Sequence, residues 1–96
     1  MGPGKADLLD AIADTGSISA AARRLRMSYR RAWLLVDTMN RCFREPLVVA
    51  GTGGKGGVGA TVTPFGREVL ARFRTLESAA QKAIAPSVAR FAELLS

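Results

Sequence analysis

Residues 16–33 read GSISAAARRLRMSYRRAW. Ser17 or Ser19 can cap a helix here, because a hydroxyl at that position accepts one of the free N–H groups of the first turn. Ile18, Ala22 and Leu25 fall on one side of that helix, and Ala21 is small enough for close helix contact. Met27 and Ser28 interrupt the pattern. Ser28 can then cap a third helix, from Tyr29 to about Arg44. Within it Ala32, Val36, Met39 and Phe43 recur at i, i+4, i+7 and i+11, the period of a buried stripe. Arg30, Leu34, Asp37 and Arg41 take the opposite face. Two helices around a tight turn, the second basic at its start, fit a helix-turn-helix.

Met1 to Gly4 reads as a frayed end. Lys5 to Thr15 follows, with Leu8, Leu9, Ile12 and Ala13 at helical spacing and Gly16 as a C-terminal stop. On the other side Pro46 ends helical order, and Leu47-Val48-Val49 and Ala60-Thr61-Val62 are short and β-prone. The glycine-rich segment between them closes a hairpin. Thr63-Pro64 is a cap followed by proline at the first helical position. The helix it starts carries Phe65, Val69, Phe73, Leu76, Ala80 and Ala83 at spacings of three and four. It is expected to persist to about Ala85, where Pro86 interrupts, with Ser87–Leu95 as a further short amphipathic piece. The fold expected is mainly α with a small β-hairpin: a winged helix-turn-helix with a long C-terminal linker helix, in a single domain spanning residues 1–96.

The chain has 96 residues, 48% of them hydrophobic, and a formal net charge of +6. That is a folding chain whose charge favours a polyanion, either nucleic acid or an anionic membrane surface. Cys42 is the only cysteine and there is no histidine. This excludes a disulfide within the chain, offers no zinc ligand set, and removes the commonest general base. Cys42 reads as small packing in its helix. No apolar run is long enough to span a membrane and the N-terminus has no apolar signal region, so a cytoplasmic protein is expected. Nothing suggests catalysis, a metal site or a cofactor. Asp7, Asp10 and Asp14 read as a solvated acidic face. Arg72, Arg74 and Lys82 read as surface, with Glu68 and Glu77 as possible partners.

Residues 47–64, LVVAGTGGKGGVGATVTP, are not a phosphate-binding P-loop. Lys55 is followed by Gly56 rather than serine or threonine, Val49 stands where the first glycine belongs, and the loop returns to a strand. Glycines without Cβ atoms can instead lie close against a sugar-phosphate surface, with Lys55 as a counter-charge at the tip. The other reading is a plain surface hairpin with a solvated lysine. In the helix-turn-helix the start of the third helix would meet base edges: Ser28, Tyr29, Arg30 and Arg31, followed by Trp33. Arg30 points most directly away from the core and is the leading base reader, since arginine can give two hydrogen bonds to guanine. Arg31 is favoured for phosphate. Trp33 and Tyr29 either pack or touch DNA. Ser17 and Ser19 sit where a helix N-terminus can meet phosphate, and Arg23, Arg24 and Arg26 add charge toward the backbone.

The SIS-x-A-A start, the S-Y-[KR]-x-A-W helix, the following M-N and the T-G-G-K-G-G segment closing on x-V-T-x-F-G occur in this order from Ser17 to Gly66. In these motifs the chain resembles the N-terminal DNA-binding domain of ModE, the molybdate-dependent transcriptional regulators, over about Ala6 to Ala85. LysR-type winged helices are broader relatives, sharing the A-A-x-x-L second helix and the T-x-x-G start of a long helix. The resemblance implies a sequence-specific regulator of double-stranded DNA, with a recognition helix carrying Tyr29, Arg30, Arg31 and Trp33 and a wing over residues 47–63. Ser17, Ser19, Thr52, Gly53, Gly54 and Lys55 would touch the backbone or the adjacent groove. It also implies a homodimer through the linker helix and the first helix, with Leu8, Phe65, Val69, Phe73, Leu76 and Ala80 as interface residues. Apolar positions beyond Phe73 that no other element covers point the same way. Molybdate-binding domains would follow this region in such regulators, so molybdate is not expected to bind these 96 residues. The alternative is a winged helix that docks a protein partner and binds no specific DNA.

Overall fold

The computed structural model describes residues 1–51 and 59–96. Its elements are α1 (Pro3–Thr15), α2 (Ile18–Arg24), α3 (Tyr29–Cys42), β1 (Val48–Ala50), β2 (Ala60–Val62) and α4 (Pro64–Ala92). The expected order is therefore present. At the N-terminus the helix begins at Pro3, so two of the four residues expected to fray, Pro3 and Gly4, are helical. Proline at the first position loses no helical hydrogen bond there and has its φ already set.

Each helix start is made by the residue type that suits it. Ser17 accepts from Ala20 N–H, Ser28 from Arg31 N–H and Thr63 from Gly66 N–H, at 3.1, 3.1 and 2.9 Å. α1 stops at Gly16, which takes the left-handed conformation at φ 69° and donates to Ile12 O at 2.8 Å. The Gly16 carbonyl then accepts from Ala60 N–H at 2.9 Å, so the same residue ends α1 and docks β2. The turn between α2 and α3 closes differently. Met27 N–H reaches Ala22 O at 3.0 Å and Arg26 N–H reaches Arg23 O at 3.2 Å, a Schellman pair with Arg26 at φ 56°.

The core gathers around α1. Leu8, Leu9 and Ile12 are fully buried and meet Ala21 and Ala22 of α2, Ala32, Val36 and Met39 of α3, and Leu47, Val48, Ala60 and Val62 at the hairpin base. The alanines on α2 and α3 let those helices approach closely. β1 and β2 pair antiparallel with Val48 opposite Val62, Val49 opposite Thr61 and Ala50 opposite Ala60. Phe43 lies at the end of the α3 stripe and is only half-buried. Its ring meets Phe65 edge-on at 6.4 Å between centroids, and Arg44 lies 5.2 Å over Phe65. Cys42 is exposed rather than packed, because the buried stripe passes from Met39 to Phe43 and misses it.

α4 departs from expectation most. It runs unbroken for 29 residues through Pro86. The missing Pro86 N–H would leave the Lys82 carbonyl open, but this whole segment is exposed and water can take that acceptor. The helix leaves the body beyond its third turn, which raises the radius of gyration to 16.3 Å, whereas a compact chain of this length would have about 12.5 Å.

The last polar tie before α4 leaves is Arg74. One Nη2 donates to Asp10 Oδ2 at 2.7 Å and Asp7 Oδ1 at 2.9 Å, while Nη1 donates to Glu77 Oε1 at 2.8 Å. The acidic face of α1 is thus a binding surface for α4 rather than a solvated stripe, and Asp14 is paired with Arg24 at 2.8 Å. Asp10 first, then Glu77 and Asp7, hold the Arg74 guanidinium charged well above the ordinary arginine range. The cation therefore stays charged at every working pH, and added salt screens its attraction to the three carboxylates. Arg74→Ala should lower stability by about 1 kcal/mol in dilute buffer, a network value at a partly exposed site, and the loss should shrink toward zero near 1 M salt. Urea titration of both proteins at two salt concentrations reads this, and a deficit independent of salt would contradict it.

Candidate nucleic-acid interface

The tight turn between α2 and α3 sets the angle at which α3 is presented. α3 then buries Ala32, Val36 and Met39 and turns Tyr29, Arg30, Arg31, Trp33 and Leu34 outward. Arg30 and Arg31 are exposed and have no ion pair among the described residues, and neither has Arg26. Among the described residues Arg23 is engaged only with Ser19 Oγ, at 3.3 Å.

Most carboxylates lie away from this surface and are paired; Asp37, on the same side of α3 as Arg30, is taken up by Arg41. Asp7, Asp10 and Glu77 hold Arg74; Asp14 holds Arg24; Asp37 pairs with Arg41; Glu45 and Glu68 pair with Arg44 and Arg72. Four arginines without an ion pair among the described residues, Arg23, Arg26, Arg30 and Arg31, thus lie within nine positions at the α2–α3 turn and the start of α3. Exposed guanidinium groups of this kind can hydrogen-bond phosphate or, in pairs of N–H groups, the edge of guanine.

Beside this surface lies a groove of about 380 Å³ between the start of α2, the outer side of α3 and the base of the hairpin. Ser17, Ser19, Tyr29 and Trp33 line it with Val49 and Ala50, so the structure brings these four expected residues to one place. Tyr29 and Trp33 are 56% and 47% exposed, which makes them surface aromatics rather than core packing. Ser28 and Ser17 are N-caps, so their oxygens serve the helices first. Arg31 lies on the other side of α3, in a cleft with Lys5 and the start of α1. Thr52, Gly53, Gly54 and Lys55 lie outside the described residues.

Asn40 is the member of this region that residue-by-residue reasoning passed over. Its Oδ1 accepts from Leu47 N–H at 2.8 Å and Val48 N–H at 3.2 Å, and its Nδ2 donates to Val48 O at 3.0 Å. It ties the first strand of the hairpin to the helix that carries the arginines. The signal was a lone asparagine late in a helix and just before the strand, a polar residue that helix propensity alone does not favour.

The residues expected at a subunit contact divide. Leu8 is 0% exposed within the protomer, so it serves the core and is not available to a second copy. Phe65 and Val69 are half-buried against that core, and Phe73 is half-buried. Leu76 and Ala80 are exposed, and so are Ile84, Val88 and Phe91 further along α4. Among the described residues no cluster of carboxylates, cysteines or histidines could hold a metal ion, and no helix is long and apolar enough to cross a membrane.

The family described as bacterial regulatory helix-turn-helix protein, lysR family, matches residues 5–67. The molybdenum-pterin-binding protein MopB of Rhodobacter capsulatus is 45% identical over 82 residues, covering 85% of this chain and 30% of that protein. The DNA-binding transcriptional dual regulator ModE of Escherichia coli (strain K12) is 40% identical over 81 residues, covering 84% of this chain and 31% of its own length. The chain thus spans about 30% of the curated relatives it matches. Among solved structures, that of the CbnR_DBD–DNA complex has a TM-score of 0.71 at 21% identity, covering 94% of this chain and 98% of that one, and so shares the winged-helix fold. With residues 5–67 of its 96 matched, the chain belongs to the lysR family of bacterial regulatory helix-turn-helix proteins.

Proposed function

We propose that this chain is the sequence-reading, DNA-binding head of a ModE-like transcriptional regulator and acts as a homodimer. The observation that carries the reading is the unpaired, outward-facing pair Arg30 and Arg31 at the start of α3, where the one nearby carboxylate, Asp37, is already paired with Arg41. Arg30 reads base edges, Arg31 meets phosphate, and Arg23 and Arg26 extend the phosphate contact along the preceding turn. Residues 5–63 form the head, with the hairpin as wing and Lys55 as its backbone contact, and residues 64–96 form the linker. Pairing is supported by α4, where Leu76, Ile84, Val88 and Phe91 are 68%, 54%, 55% and 66% exposed on a helix that leaves its own core. Second copies laid along this stripe would give two recognition helices related by a two-fold axis.

In vitro selection from a random duplex library tests this. It should return an inverted repeat with half-sites spaced by about one helical turn, or multiples of it. Arg30→Ala should lose roughly 1–3 kcal/mol on the selected site and relax the preference at one base pair in each half-site. A pool with no enriched sequence, or an enriched site without two-fold symmetry, would refute the reading.

A further inference from the structure

The groove beside Arg30 has a composition that the arginines do not explain. Its serine, aspartate and asparagine side chains each have a partner inside the protein. Ser17 Oγ accepts from Ala20 N–H, Ser19 Oγ accepts from Arg23, Asp37 pairs with Arg41, and Asn40 uses both ends of its amide on the first strand. Toward solvent the groove presents the Tyr29 and Trp33 rings as its apolar part, beside the exposed Ser19 and the partly exposed Asp37. Tyr29 and Trp33 stand four residues apart on α3, share one side of the helix, and line the groove with Val49 and Ala50. Two half-exposed aromatics on the face that carries free arginines are apolar area awaiting cover by whatever those arginines bind.

In the major groove only one base edge presents an apolar group, the C5-methyl of thymine. We infer that the Tyr29–Trp33 groove is a thymine-methyl receptor: Arg30 reads a guanine edge by hydrogen bonds, and the neighbouring aromatic surface selects thymine by burying its methyl group. The free positive charge beside it, Arg23 bonded to Ser19 of the groove and Arg30 next to Tyr29, is complementary to duplex DNA and fixes the occupant. This rests on the DNA-binding reading above and adds the base class read by the groove.

Uracil in place of thymine removes that methyl and leaves every hydrogen-bonding atom unchanged, so it isolates the claim. Fluorescence anisotropy with the selected duplex, substituted one thymine at a time by deoxyuridine, should reveal at least one position per half-site where affinity falls about four-fold, the equivalent of burying one methyl-sized group. With Trp33→Ala or Tyr29→Ala the unsubstituted site should bind more weakly, and the uracil penalty at that position should disappear. Uracil tolerated everywhere by the wild-type protein, while the duplex still binds specifically, overturns this inference and leaves the DNA-binding reading standing. A penalty that survives unchanged in both variants also overturns it. Failure to bind any duplex above random DNA overturns both.

Discussion

Gly66→Ala should lower stability by about 3 kcal/mol, the upper part of the range for forcing volume into a packed site. A Cβ at this position would sit 2.3 Å from the carbonyl oxygen of Leu47, 3.1 Å from its carbon and 2.9 Å from Cγ1 of Val62. The Leu47 oxygen cannot retreat cheaply, because it accepts from Thr63 N–H at 2.9 Å. Nor can α4 shift as a unit, because Thr63 caps it through Gly66 N–H and donates its hydroxyl proton to Pro46 O at 2.8 Å. Gly66 is thus where the long helix crosses the hairpin base at backbone distance. For a domain of this size the loss corresponds to a midpoint roughly 12–24 °C lower, read by circular dichroism at fixed protein concentration. Gly4→Ala is the internal contrast: it lies in α1 with nothing within 4 Å of the added carbon, so it should cost nothing and can gain up to about 1 kcal/mol from helix propensity. A Gly66→Ala protein as stable as wild type would mean that α4 is not seated as described.

Asn40→Ala should be comparably damaging, at about 2–4 kcal/mol. Three hydrogen bonds at a part-buried joint vanish together, and each lost partner in such a place costs about 1–3 kcal/mol before water recovers some of it. Asn40→Asp separates the roles. A carboxylate keeps the acceptor for Leu47 and Val48 N–H but cannot donate to Val48 O, so it should retain more than half of the stability that alanine loses. The consequence should also reach the groove, because Asn40 sets the distance between the first strand and α3. Hydrogen exchange at the Leu47 and Val48 amides gives the local reading: protection should fall in Asn40→Ala before it falls in α1. Exchange unchanged at both amides would remove Asn40 from this role.

Much of this architecture was legible in the order of residues. Serine at 17 and 28, threonine at 63, proline at 64 and glycine at 16 are local devices, and each acts within four residues of itself. The stripe Ala32, Val36, Met39 is likewise a one-helix pattern, and it turned Arg30 and Arg31 outward without reference to any other element. The sequence motifs placed the chain beside ModE proteins, and the match over residues 5–67 agrees with their broader lysR family. Less legible was whatever depends on a neighbour far along the chain. Asp7 and Asp10 looked solvated because their partner, Arg74, is more than sixty positions away. Leu8 looked available to a second copy because helical spacing marks an apolar face without saying what covers it, and the protomer's own core covers it fully.

The sequence by itself determined the starts of α2, α3 and α4, the stop of α1, the turn and the outward arginines, because capping, periodicity and charge act over a few residues and need no partner. Tertiary structure alone decided that Gly66 must be glycine, that Asn40 holds the hairpin, that one guanidinium gathers three carboxylates, and that Tyr29 and Trp33 share a groove with the hairpin base. Those are contacts between elements, set by the packing of α1 at the centre. The path of α4 through Pro86 stands apart from both: the proline removes one helical hydrogen bond, and at this exposed position water can take the freed carbonyl.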